Sequence, residues 1–255
     1  MNRFSSCYGR EGDVGATAKD NRLFVEAVLY RYRAGIPWRD LPARFGDFRV
    51  IHTRFSRWSK TGVWEQVFQH LADDADNEYA MIDKGDCPRP STQRGCKGGD
   101  ASREAIGLSI GGLSTKIHVV VDALGNPLSF HLTPGQACDL DGADELLPNI
   151  VADTVLADKG YDADERVIER LIRHRVKPVI PPKRNRNNPR DYDRDLYKAR
   201  HLIENFFAKL KQYRAMPFAE RLVEKAGYAY ATRYDKRAVN FLGAIYLAAS
   251  VIWLN

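Results

Sequence analysis

Apolar residues follow two different rhythms along this chain, and the change comes near Tyr79. Before it they recur at helical spacing. Leu23, Phe24, Ala27 and Val28 predict a helix over 21–33, closed by Gly35, Ile36 and Pro37. A short helix over 38–45 follows and Gly46 ends it. Asp47 can cap a third helix, with Phe48, Ile51, Phe55 and Trp58 inside and Arg49, Thr53, Arg57 and Lys60 outside. A fourth, over 63–72, packs through Trp64, Val67, Phe68 and Leu71. Helix, tight turn and helix with a basic outer face match the helix-turn-helix plan, in which one helix enters the major groove. Residues 21–78 therefore read as a helical DNA-binding domain, with Arg49 and Arg57 as candidate phosphate contacts. Residues 1–20 carry no periodic signal and read as a flexible arm.

From 79 onward short β-type runs alternate with helices. One run closes on Asp83. After a polar loop with Gly95, Gly98 and Gly99, runs over 114–122 and 128–132 pair antiparallel about the turn Leu124-Gly125-Asn126-Pro127. A helix over 140–147 leads to a strand over 154–158 that ends on Asp158. A helix over 163–173 and a strand over 178–180 come next, then a basic loop over 181–189 that stays mobile until it meets a ligand. One long helix carries Tyr197 through Lys211. The last apolar run, 241–254, is shorter than the ~20 residues of a membrane span, so a buried helix is expected. The class is α/β.

Charge narrows the partner. The chain carries a net +6, and between Lys183 and Arg214 ten Lys and Arg stand against four Asp and Glu. That stretch alone equals the whole excess, which favours a polyanion such as nucleic acid. Cys7, Cys87, Cys96 and Cys138 show neither disulfide-framework nor zinc spacing, and isolated thiols suit a reducing compartment.

The candidate chemistry is carboxylate chemistry. At ~100° per residue, Tyr197, Arg200, Glu204 and Lys211 fall on one face of their helix, with Leu202, Ile203, Phe206, Phe207 and Leu210 mostly on the other. A carboxylate aligned with two cations and a phenol suits a metal-assisted phosphate site. Asp83 and Asp158, each closing a β-type run, stand where α/β folds often place catalytic groups. Three carboxylates from two strand ends and a helix are what two Mg²⁺ ions require, with places left for phosphate and water.

These segments resemble the DDE transposases of bacterial insertion sequences, the insertion sequence 5 family in particular. The resemblance is carried by DNRLFVEAVLYRYRAGIPWRDLP, GGLSTKIHVVVDALGNPLSFHLTPGQ, VLADKGYD and the Y-x2-R-x3-E-x6-K signature from Tyr197 to Lys211. It implies a ribonuclease H-like mixed-sheet catalytic core over 79–255, behind the N-terminal helical helix-turn-helix-like domain. It implies that Asp83, Asp158 and Glu204 are catalytic and hold two Mg²⁺ ions (or Mn²⁺). Tyr197, Arg200, Lys211, Lys183, Arg184 and Arg186 would contact DNA phosphates. The activity implied is metal-dependent strand cleavage and strand transfer at terminal inverted repeats. The partners are double-stranded DNA of the element ends and target, bound by a homo-oligomer in the bacterial cytoplasm at the nucleoid.

Two stretches depart from the family. After Asp83 the chain runs KGDCPRPSTQRG where relatives run Ser-Thr, which sets Lys84 to pair with Asp83 or crowd a metal and makes Asp86 an alternative ligand. Residues 216–230 read as an insertion, with an amphipathic helix through Phe218, Leu222 and Val223 ending at Gly227. Both departures keep open a second reading, a catalytically inactive descendant that only binds DNA.

Overall fold

Asp20 fixes the first helix by accepting a hydrogen bond from the Leu23 amide at 2.9 Å, one of the amides a helix start leaves unpaired. The computed structural model describes residues 20–88, 104–110, 112–216, 235 and 237–255. Helix α1 spans Asn21–Ala34 and stops at Gly35, whose φ of 70° is left-handed and whose missing Cβ would lie 2.8 Å from that of Arg214. The helix expected over 38–45 is instead two 3₁₀ turns, Trp38–Asp40 and Ala43–Phe45. Pro42 is the cause: its ring holds Leu41 extended, at φ −64° and ψ 129°. Helix α2 (Phe48–Lys60) starts at Asp47, which caps the Arg49 amide at 2.8 Å, and a two-residue turn leads to α3 (Val63–Ala72). Ile51 and Phe55 are buried, and Arg49, Thr53, Arg57 and Lys60 are exposed.

Among the described residues, six strands form one mixed sheet. They are β1 (Ala80–Pro88), β2 (Gly107–Ser109), β3 (Gly112–Val121), β4 (Pro127–Pro134), β5 (Thr154–Ala157) and β6 (Lys177–Val179). Strand β1 lies between antiparallel β3 and parallel β5, and β6 runs parallel outside β5. On the far side of β3, β4 pairs with most of its length and β2 with its first residues.

Strand β1 does not end at Asp83 but continues to Pro88, because β3 pairs it from Met81 opposite Val121 to Pro88 opposite Ser114. What ends there is the parallel pairing with β5, whose last pair is Ile82 with Ala157.

Alternation sends side chains to two cores. On one face Ala80, Ile82, Val120, Val155 and Ala157 pack with residues of α4 (Asp139–Leu146), such as Ala143, and with Leu171 of α5 (Glu169–Arg173). On the other, Met81, Val119, Val121 and Leu156 join a core that runs without a break through Phe130, Phe206 and Phe241 to Phe68, Trp64, Phe55 and Phe24. The N-terminal helices are thus built onto the sheet. The apolar C-terminal run is a buried helix, α8 (Ala238–Trp253), as its composition required. Among the described residues, no helix is long and apolar enough to cross a membrane.

The remaining helices differ in detail from expectation. The helix expected over 163–173 opens as a π turn, Asp164–Ile168, and continues as α5. The long helix is broken into α6 (Arg194–Tyr197), a 3₁₀ turn over Lys198–Arg200, and α7 (His201–Lys211). The expectations for 1–19, for the loop with Gly95, Gly98 and Gly99, and for 217–230 lie outside the described residues.

Candidate active site

Asp83 and Asp158 arrive side by side because β1 and β5 are parallel neighbours and each places its aspartate just beyond the pair Ile82–Ala157. The Asp158 carboxylate folds over the following 3₁₀ turn, Lys159–Tyr161, and its Oδ1 accepts the Gly160 amide at 2.8 Å. Gly160 makes this close approach feasible: a Cβ there would sit 2.8 Å from the same oxygen.

Both oxygens of Asp83 are engaged. Oδ1 accepts the Lys84 amide at 2.8 Å, and Oδ2 takes an ion pair from Arg200 Nη2. Arg200 Nη1 donates to the Tyr197 hydroxyl at 3.1 Å, with the guanidinium 5.6 Å from the Tyr197 ring centre. The break before α7 explains this contact. A 3₁₀ turn brings positions three apart nearly into line, so Tyr197 and Arg200 stack directly while Glu204 is carried onward. The Asp83 and Arg200 side chains are each 16% exposed.

Electrostatics at this pair run in two directions. Burial raises the Asp83 pKa and the negative charge of Asp158 adds to it, against the pull of Arg200 and the Lys84 amide. For Arg200, burial disfavours the charge, but Asp83 and the Tyr197 hydroxyl outweigh it and the pKa rises. A buried, acceptor-rich carboxylate beside a second carboxylate is left short of positive charge. Among the described residues, two donors close by, Arg200 Nε and the Tyr161 hydroxyl, are buried without a hydrogen-bond partner. Burial raises the Tyr161 pKa well above its ordinary value, reinforced by the charges of Asp83, Asp139 and Asp158.

The donor set suits a hard divalent ion, since it offers carboxylate oxygens and no imidazole or thiolate. Asp83 and Asp158 fit as a two-carboxylate seat. Glu204 does not join them here: it lies on the exposed side of α7. Among the described residues, no group of three or more His, Cys, Asp or Glu stands close enough to hold an ion. The Lys84 ammonium pairs with other carboxylates than Asp83. Alternation turns it to the opposite face, where its Nζ lies 3.0 Å from Asp139 Oδ1 and 4.0 Å from Asp86 Oδ2. Lys116 shares Asp139 at 2.7 Å.

The basic loop is not loose. Asp162, with a fully buried side chain, accepts the Lys183 amide at 2.8 Å and Arg186 Nε at 2.5 Å, and it pairs with Arg190. Arg186 also forks onto Asp164 with two contacts of 2.9 Å. Of the cations expected on this loop, Arg186 is therefore committed to carboxylates, while Arg184 is exposed. Lys211 is exposed on α7, as are Arg49 and Arg57 on α2. Sequence reading overlooked Tyr161, Asp162 and Arg190. The first two lie three and four residues after Asp158, so their closeness in sequence to a candidate ligand was the available signal.

Known proteins share these segments. Residues 5–68 match the family described as "Putative transposase of IS4/5 family", and residues 89–219, about half the chain, match "Transposase DDE domain". A Brucella ovis protein described as "Putative transposase for insertion sequence element IS6501" is 37% identical over 146 residues, 56% of this chain and 100% of the relative. Protein y4sN of Sinorhizobium fredii is 40% identical over 95 residues, 36% of this chain and 76% of the relative. A 16.2 kDa protein of insertion element IS402 from Burkholderia cepacia is 30% identical over 82 residues, 29% of this chain and 56% of the relative.

Proposed function

The chain belongs to the DDE transposases of bacterial insertion sequences, and from that premise we propose that it cuts DNA at the terminal inverted repeats of its element and joins the freed 3′ ends to target DNA. The observation that carries this reading is the Asp83–Asp158 pair on adjacent parallel strands, faced by Arg200 from the segment that leads into α7. The order β4-β3-β1-β5-β6, with β3 antiparallel to β1 and β5 and β6 parallel to it, supports a ribonuclease H-like core. Residues 21–78 are the DNA-binding part in this reading, and 79–255 the catalytic part.

Asp83, Asp158 and Glu204 would hold divalent ions, Mg²⁺ or Mn²⁺. When bound, such ions supply Lewis-acid stabilisation to the phosphoryl oxygens and lower the pKa of the attacking hydroxyl group. The protein's own groups do the rest. Gly160 fixes the Asp158 carboxylate through its amide. Arg200 can grip two phosphate oxygens at once with its planar fork, and Lys211 adds a point charge further along α7. Tyr197 orients Arg200 and can donate to a phosphate oxygen. In cleavage, water oxygen bonds to phosphorus, the P–O3′ bond breaks and the 3′ oxygen leaves as a hydroxyl. In joining, that hydroxyl attacks a target phosphorus and a target 3′ oxygen leaves. Arg184 and Lys183 on the basic loop, and Arg49 and Arg57 on α2, would hold backbone phosphates, with Arg186 available once it leaves its aspartates. Two ends must be cut together, so the working form would be a homo-oligomer on DNA in the cytoplasm.

The test is cleavage of an end-repeat duplex in Mg²⁺. Glu204→Gln should abolish nicking and leave DNA affinity nearly unchanged, because it removes a ligand and little bulk. Equal nicking by the variant and the parent would refute the site. The exposed position of Glu204, outside any donor group, favours one second reading: a descendant that binds the repeats without cutting them. Binding without nicking by the parent protein in Mg²⁺ or Mn²⁺ would establish that reading instead.

A further inference from the structure

We infer that Arg200 is a built-in counter-ion that must leave Asp83 before a divalent cation can bind, so that a DNA phosphate and the cation are taken up together. The inference rests on the metal-site reading above. Asp83 has two oxygens, and both are occupied: one by the Lys84 amide at 2.8 Å, the other by Arg200. The backbone donor is fixed by the strand. The side chain is the part that can move.

Arg200 is also incompletely satisfied where it is. Its Nη1 reaches the Tyr197 hydroxyl at 3.1 Å, but its Nε is buried without a hydrogen-bond partner. A guanidinium that leaves Asp83 for a phosphate can present Nε and an Nη together, the fork that matches two oxygens. A polyanion therefore offers Arg200 a more complete set of bonds than Asp83 does. A cation arriving at Asp83 Oδ2 likewise replaces the charge that Arg200 withdraws. Each ligand removes the obstacle to the other, and linkage makes the effect reciprocal.

The experiment titrates Mn²⁺ into the full chain without DNA and follows free Mn²⁺ by electron paramagnetic resonance. Arg200→Gln should bind Mn²⁺ about tenfold more tightly than the parent, a gain of about 1.4 kcal/mol. Tyr197→Phe, which loosens Arg200 and leaves the helix intact, should give a two- to threefold gain. Equal or weaker binding by both variants overturns the inference. Uptake by none of the three proteins overturns the metal reading itself, and the inference with it. In a second arm, anisotropy measures duplex DNA affinity in Ca²⁺ and in Na⁺ of matched ionic strength. Calcium should strengthen binding several-fold more for the parent than for Arg200→Gln, and equal ratios would overturn the coupling.

Discussion

At the scale of single residues, Gly160 and His118 show how backbone and burial decide what a side chain can do. Gly160→Ala would place a Cβ against Asp158 Oδ1. The carboxylate must then turn, and nicking of an end-repeat duplex should fall on the order of a hundredfold, with DNA affinity retained. His118 is fully buried, its Nε2 2.8 Å from Thr133 Oγ1 and its ring where a Cβ on Gly142 would lie. Burial lowers its pKa from 6.5 to about 4. The unfolded chain therefore takes up this proton first as pH falls. Stability present above pH 6.5 is lost as pH drops towards 4, by up to about 3 kcal/mol. Urea midpoints at pH 7 and pH 4.5 check this: the gap between them should narrow in His118→Gln, and an unchanged gap would contradict the assignment. Asp83 and Asp158 were readable as candidates because each follows a β-type run. The engagement of Asp83 by Arg200 was not, since nothing in spacing reveals a 3₁₀ turn after Tyr197.

At the scale of elements, periodicity located α1, α2 and α3 well, because their apolar faces repeat at 3.6 residues, and the unbroken apolar run located α8. It failed where proline or polar sequence hid the backbone. Pro42 split one helix into two 3₁₀ turns, and Lys84, Gly85 and Asp86 concealed the second half of β1. The loop over 181–189 looked mobile because a run of cations with proline lacks periodic signal. Its anchors, Asp162 and Asp164, lie about twenty residues earlier and were invisible to local reading. Asp162→Asn should therefore destabilise the fold by about 2 kcal/mol, less than a fully buried pair because Arg186 and Arg190 are partly exposed. Limited proteolysis should then cut within 181–190, and resistance equal to the parent would count against the clasp. Arg184→Ala should leave stability unchanged and reduce the salt slope of DNA binding by roughly 0.9.

At the scale of the whole molecule, the helical region and the sheet share one core, and a buried ion pair binds distant parts of the chain. Arg31, wholly buried, donates to Asp235 at 2.9 Å, and the Tyr32 hydroxyl donates to the same carboxylate at 2.6 Å. Asp235→Asn removes a counter-charge beside a buried guanidinium and should cost about 3 kcal/mol in chemical denaturation. Tryptophan fluorescence and far-UV circular dichroism should report one coincident transition, whereas an independent helical domain would give two. Composition indicated DNA, and family resemblance indicated the reaction; the continuity of the core could be learned only from packing. The account stands or falls on Asp83, Asp158 and Glu204 serving one centre. Iron-directed hydroxyl-radical cleavage tests this most directly, with Fe²⁺ in place of Mg²⁺ and end-repeat DNA bound. Backbone cuts should map beside 83, 158 and 204 together and vanish in Asp158→Asn. Cuts confined to the two aspartates, with none near 204, would contradict it.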